Sequence, residues 1–257
     1  MLNPRLIPCL LLHEGGVVKT VNFKNPNYIG DPLNAVKIFN EKEVDELIII
    51  DIDATVQSKS PNYKLIEKLA AECRMPISYA GGIKNEKEIR RIISLGIEKV
   101  AVSSLFVSNP SAIQDMGKAV GKQSISVVID IKKDRFNKYA VFTHNGRKKA
   151  KNKLDFYIKF LQENPVGEIV INSINNDGKM CGFDLKLISK FSSNLRTPII
   201  AMGGAGSLKD IKKLINNFGL IGAACGSLFV YKGLYKAVLL NYPSDFQKKE
   251  TFSNINF

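Results

Sequence analysis

The sequence predicts an α/β fold, a (β/α)₈ barrel built of two similar half-barrels, and three observations carry the prediction. Eight short apolar runs recur along 257 residues, most of them followed by a helix-like segment, a count and length that suit this barrel. The runs are continuously apolar rather than alternating, as parallel strands covered on both faces require. The segment P-I-S-Y-A-G-G-I at 76–83 has an echo, P-I-I-A-M-G-G-A-G, at 198–206. Gly82 and Gly204 stand 122 residues apart, and Ser104 and Ser227 stand 123 apart. So constant an offset reads as an internal duplication, with half-barrels over about 1–122 and 123–257 of one domain. An open doubly wound sheet would need G-x-G-x-x-G after its first strand, where H-E-G-G-V-V-K stands instead.

In order, residues 6–12 make the first strand, 13–16 a turn, and 17–21 a further β-rich stretch. A loop is expected over 22–32, ending in Asp31-Pro32, a helix start. Apolar spacing near 3.6 gives a helix at 33–43, and 46–51 is the second strand, closing on Asp51. A polar loop and a helix at 61–73 lead to the third strand at 76–83. Then come a helix at 85–95, the fourth strand at 99–102, a helix at 109–120 and the fifth strand at 124–130. Residues 138–142 and the basic run from Arg147 to Lys153 form an excursion, followed by a helix at 155–163 and the sixth strand at 168–171. A helix, a strand at 198–202, a helix, a strand at 221–224 and a last helix from Lys232 complete the series.

No apolar run reaches 18 residues, so no membrane span is expected. The N-terminus lacks the order of a signal peptide. Four scattered cysteines with no C-x-x-C pair, and only His13 and His144, predict no metal site, no cofactor and a reduced cytoplasmic setting. The net charge of +13 is partly concentrated at 147–153. It suits an anionic substrate, an acidic protein or a plain solvated face. No recognition helix, finger spacing or RNA-binding strand motif accompanies it, which excludes nucleic acid.

Barrel chemistry sits at the C-terminal strand ends. Gly203, Gly204, Gly226 and Ser227 would form one anion site there, and Gly81, Gly82, Ser103 and Ser104 its counterpart across the mouth. Glycine lets backbone N–H groups approach an anion closely, so a phosphorylated small molecule with a phosphate at each end is expected. Asp130 lies between the sites as a general acid or base. Asp177 is a second candidate, Asp51 and Ser173 add polar groups, and His144 reads as a loop residue. At the opposite strand ends, Arg5, Glu46, Lys99 and Glu168 come together as a ring. Either charge pairing at the barrel floor or a gate on a passage would explain it.

The chain resembles the cyclase subunit of imidazole glycerol phosphate synthase, a barrel of histidine biosynthesis. The motifs that carry the resemblance are R-L-I-P-C-L, V-V-K-T-V-N-F, D-E-L-I-I-I-D-I, A-G-G-I-K, V-V-I-D-I-K-K, V-F-T-H-N-G-R-K, G-E-I-V-I-N-S-I-N-N-D-G and P-I-I-A-M-G-G-A-G, in order over nearly the whole chain. The resemblance implies a glutaminase subunit docked on the N-terminal face. Its ammonia would pass the gate Arg5, Glu46, Lys99 and Glu168, cross the barrel and react with a bisphosphorylated ribulosyl intermediate. It implies two catalytic aspartates, one of them Asp130, and a substrate-loop lysine at Lys19.

The first aspartate is missing: Cys9-Leu10-Leu11 puts leucine in its place. His13 or Glu14 could substitute only from a displaced loop. Around the same pocket the resemblance leads one to expect G-G-G where Ala80-Gly81-Gly82 stands, Asn at Ser103, T-S-x-D at 172–175, and S-G-G at 202–204. Tyr79, Ala80 and Met202 are expected to crowd the rims. Three functions follow. The first is an ammonia-transferring subunit acting on another acceptor, with surface-sugar amidation and a third acceptor-modifying protein as extensions. The second is a genuine cyclase, and the third a non-catalytic activator of the glutaminase.

Overall fold

The computed structural model describes residues 4–252. Eight strands close on themselves: β1 (Leu6–His13), β2 (Leu47–Asp51), β3 (Ile77–Ala80), β4 (Lys99–Val102), β5 (Ile125–Lys133), β6 (Glu168–Ser173), β7 (Ile199–Met202) and β8 (Gly222–Cys225). Each pairs in parallel with its sequence neighbours, and β8 pairs with β1 to complete the cylinder. Helices between the strands cover the outside with Ile, Leu and Phe, among them Ile66, Ile89, Leu161, Phe191 and Ile211, all fully buried. Their starts are capped as the sequence suggests: Asp31 accepts from Asn34 N–H at 2.9 Å and Asn85 from Glu88 N–H at 3.1 Å.

Strand parity divides each strand between two compartments. The outward set joins the helices; the inward set, Ile7, Cys9, Leu11, Ile48, Ala80, Ala101, Val128, Val170, Ile200, Met202 and Ala224, forms a separate apolar core along the barrel axis. Tyr79 belongs to the outward set and is 2% exposed. It therefore does not crowd the mouth, because it differs in parity from Ala80, which does face inward.

Two strands overrun the barrel. β1 continues into an antiparallel ribbon with Gly16–Val21 and then Lys24–Gly30. β5 does the same with Tyr139–Thr143 and Lys148–Lys149. These are the strands of Leu11 and Asp130.

Three local expectations fail. The loop expected at 22–32 is mostly the strand Lys24–Gly30, formed by pairing with Gly16–Val21 in spite of its turn-like N-P-N composition. The helix expected from Lys232 is instead a small hairpin, Tyr231–Lys232 with Ala237–Val238, and the last helix is Asp245–Phe252. Positive φ at Gly233 and Lys236 turns the chain there. The helix expected from 109 begins at Ala112, and a separate short helix, Ser104–Ser108, precedes it. No described helix is long and apolar enough to cross a membrane.

Candidate functional site

The C-terminal mouth opens into a cavity of about 570 Å³. Leu11, Lys19, Asp51, Gly81, Gly82, Ser103, Ser104, Asp130, Asp177, Gly203, Gly204, Gly226 and Ser227 all line it. Ser173 does not: its parity turns it away from the axis, and it is 3% exposed. Its carbonyl instead receives the N–H groups of Asn176 and Asp177 at 3.1 and 3.0 Å.

Asp130 ends the inward-facing series Ser126, Val128, Asp130 on β5. Ser103 Oγ donates to its Oδ2 at 3.2 Å and Asn172 Nδ2 to its Oδ1 at 2.9 Å. Burial pushes the carboxyl up to about 6, although those two hydrogen bonds oppose the shift. Such a group can change protonation state near neutrality. Across the axis Leu11 presents only carbon. No neighbour replaces it: His13 Nδ1 is held at 2.7 Å by Asp53 Oδ1, Glu14 N–H donates to Asp53 Oδ2 at 2.8 Å, and neither residue lines the cavity.

Asn172 is a site residue that sequence reading missed. With its amide nitrogen committed to Asp130, its Oδ1 is buried and has no hydrogen-bond partner among the described residues. It offers a fixed acceptor beside the carboxylate. In sequence it is the first of two polar residues, Asn172 and Ser173, that close an apolar run.

Asp177 is 8% exposed; Thr20 Oγ1 and Phe23 N–H donate to its Oδ2 at 3.2 and 3.4 Å. Burial raises its pKa, and Lys19 is the chief opposing influence. Lys19 extends from the first flap until a Cβ on Gly226 would lie 2.1 Å from its ammonium nitrogen, so the glycine leaves room for the cation. Asp51 is largely engaged as a cap, its Oδ1 accepting from the N–H groups of Asp53 and Ala54 at 2.9 and 3.0 Å.

Both Gly pairs have positive φ: Gly81 +127°, Gly82 +72°, Gly203 +89° and Gly204 +112°. Backbone crowds them as well. A Cβ on Gly81 would stand 2.5 Å from the Asp51 carbonyl oxygen, and one on Gly204 2.1 Å from that of Gly182. Gly204→Ala is therefore expected to cost roughly 1–3 kcal/mol or more, read as a lower denaturation midpoint.

The second flap lies over the same cavity. Thr143, His144, Asn145, Lys148, Lys149 and Lys151 line it, as does Lys84. The basic run is thus folded above the mouth. His144, expected to be a loop residue, is in a turn (φ +53°) yet lines the mouth, with Nδ1 2.9 Å from Thr143 Oγ1.

At the opposite end the four charges close a ring. Arg5 donates through Nη1 to Glu46 and through Nη2 to Glu168, and Lys99 Nζ lies 3.5 Å from Glu46 Oε1 and 3.2 Å from Glu168 Oε2. Glu46 is 2% exposed and Ser78 Oγ donates to its Oε1 at 3.1 Å. Burial raises the Glu46 pKa, reinforced by Glu168 and opposed by Lys99 and Arg5. Two cations and two anions cancel, so the floor is ionic but neutral. Above it comes the apolar axis, then Asp130.

Among the described residues no group of three or more His, Cys, Asp or Glu is placed to hold a metal. A family model described as "Histidine biosynthesis protein" matches residues 5–236. A Leptospira interrogans protein provisionally named imidazole glycerol phosphate synthase subunit HisF is 53% identical over 253 residues, covering 98% of this chain and all of that one. A Pseudomonas aeruginosa protein, provisionally subunit hisF2, is 46% identical over 95% of this chain and 97% of its own length. Imidazole glycerol phosphate synthase subunit HisF of Streptococcus sanguinis is 34% identical over 90% and 92%. This chain belongs to the histidine biosynthesis protein family, alongside the cyclase-type HisF subunits.

Proposed function

We propose that this chain is the cyclase-type subunit of a glutamine amidotransferase. It receives ammonia from a glutaminase docked on the N-terminal face and delivers it at the C-terminal mouth to an acceptor other than the histidine-pathway substrate. One observation carries the reading: the neutral ring, the apolar axis and Asp130 lie in line, and the axis ends on Leu11 where a second carboxylate would have to stand. An apolar passage suits ammonia, which is small and uncharged, and excludes ammonium, whose desolvation is expensive.

The acceptor is anionic. Lys19, Lys84, Lys148, Lys149 and Lys151 rim a cavity whose two Gly pairs turn backbone toward it, which supports a phosphorylated small molecule. Amidation of a surface sugar, with a third protein that modifies the acceptor, is the extension this reading favours. The protein purified with its glutaminase is expected to turn over the bisphosphorylated ribulosyl substrate about 10²–10⁴-fold below an ordinary cyclase. Ordinary rates would sink the proposal.

The retained Asp130, Asp177 and Lys19 around one cavity favour a second reading, a genuine cyclase. In that case the same assay shows full activity, Leu11→Asp changes it little, and Asp130→Asn abolishes it.

A further inference from the structure

The small hairpin after β8 displays the most exposed large apolar side chains among the described residues. Leu234 and Tyr235 form its tip at 90 and 94% exposure, and Val238 and Leu239 behind them are half-exposed. Only two residue pairs join its strands, Tyr231 with Val238 and Lys232 with Ala237. A two-stranded hairpin standing in water is marginal by itself, and this one is anchored at its base to the rim of the mouth. Ser227, just before it, lines the cavity, as do Lys19, Thr20 and Phe23 of the first flap. Asn27 of that flap pairs in register with Lys19 and donates through Nδ2 to the Tyr231 hydroxyl at 3.2 Å. Beside Asn27, Tyr28 is 65% exposed. On the other strand, the N–H groups of Leu239 and Asn241 donate to the carbonyls of Val230 and Phe229, each at 2.9 Å.

The charge around this tip has one sign. Residues 16–30 and 227–241 contain no Asp or Glu, and Lys24, Lys232 and Lys236 are exposed with no ion-pair partner among the described residues. Lys148, Lys149 and Lys151 of the second flap add to the same mouth. A second copy of the chain in a two-fold contact would set this basic patch against itself. A lipid surface could take Leu, Tyr and Lys, but it brings no acid or base to a cavity where Leu11 gives Asp130 only carbon as its counterpart. An acidic protein suits every feature. Its carboxylates pair with the lysines, and an exposed tyrosine beside a leucine is the kind of anchor that protein interfaces bury.

We propose that the hairpin tip Leu234–Tyr235, with Tyr28 and the lysines beside it, is the docking surface for an acidic protein that closes over the C-terminal mouth. The inference rests on the reading of that mouth as the place where nitrogen is delivered, and it gives the acceptor-modifying protein a binding site and a surface chemistry. Closing the mouth keeps bulk water from ammonia, which near neutrality takes up a proton in water and ceases to be a nucleophile. The partner also supplies the acid–base group that this chain does not set opposite Asp130.

Photo-crosslinking in the cells that make the full chain tests this, with p-benzoylphenylalanine in place of Tyr235 and, as the control, in place of Phe246, which is 77% exposed on the last helix. The expected result is an acidic protein captured from position 235 and not from 246. Once purified, it binds the chain with an affinity that falls about tenfold or more when Leu234→Ser and Tyr235→Ser are combined. Lys232→Glu and added salt also weaken binding, and both variants keep the wild-type melting temperature because the tip is in solvent. Crosslinks only to a second copy, only to the glutaminase or to no protein would overturn the docking surface. So would flotation of the purified chain with phosphatidylglycerol vesicles, or a captured protein that binds the variants as tightly as the wild type. Nitrogen transfer is a separate readout: a protein that docks through the tip yet takes no ¹⁵N from amide-labelled glutamine leaves the docking surface standing and removes the proposed function.

Discussion

Exchanging Asp130 for Asn is expected to lower nitrogen transfer from glutamine to the acceptor by about 10²–10⁴-fold, while the protein becomes harder to unfold above pH 7. The first half follows from position: Asp130 ends the inward row of β5, and Leu11 opposite it cannot move a proton. The second half follows from linkage. Burial raises the folded-state carboxyl from 3.8 to about 6, so folding favours the protonated form. The contribution of Asp130 to stability is fully present below pH 3.8 and lost as pH rises through about 6. At pH 8 the native protein carries a charge it would rather not hold, at up to about 3 kcal/mol and less where cavity water screens it. Asn removes the charge and retains an amide oxygen for Asn172 to donate to. Transfer is read as label from [¹⁵N-amide]glutamine in a metabolite extract, stability as melting temperature at pH 8 and pH 5. In the wild type, transfer falls as pH drops below about 6 if the carboxylate acts as base. An Asp130→Asn protein less stable than wild type at pH 8 would contradict the burial argument.

Glu46→Ala has the largest expected effect on stability. Glu46 accepts from Arg5 and Ser78 and faces Lys99 at 3.5 Å, at 2% exposure. Its loss leaves two cations sharing Glu168. Breaking a buried ion pair from one side costs about 3–5 kcal/mol, roughly a 10 °C fall in melting temperature for a chain this size. Replacing the ring as a set by apolar residues should cost much less, since the neutral ring contributes little beyond cancelling its own desolvation. A melting temperature unchanged by Glu46→Ala would mean the ring is solvated and is not a closed floor.

Much of this was legible because strand parity is a rigid rule. Once the strands were placed, Arg5, Glu46, Lys99 and Glu168 had to meet at one end and Asp130 at the other. Misplacing Tyr79 came from reading its nearness to Gly81 and Gly82 instead of its parity with Ala80. The 24–30 strand contains no buried residue, so its pattern shows no core face; its pairing with the first flap is tertiary and leaves no local trace. Near the C-terminus, Leu234, Tyr235, Val238 and Leu239 are spaced like one side of a helix, yet they are 90, 94, 48 and 48% exposed on a hairpin. Helical spacing does not by itself supply a buried face. Asn172 received no role from its sequence for a different reason. Its meaning depends on atoms of a neighbouring strand far away in the chain.

The ring also bears on how the barrel comes apart. Arg5 and Glu46 stand just before β1 and β2, Lys99 and Glu168 open β4 and β6, and the Arg5–Glu168 contact joins residues 163 positions apart. Glu168 lies far along the chain from the other three, so the ring can assemble only when the cylinder shuts, after most of the sheet has formed. Interactions completed that late are absent from the folding transition state, and they act on the rate of leaving the native state rather than of reaching it. The neutral floor, worth little at equilibrium as a set, is in kinetic terms a latch. Single losses such as Glu46→Ala should speed unfolding far more than they slow folding.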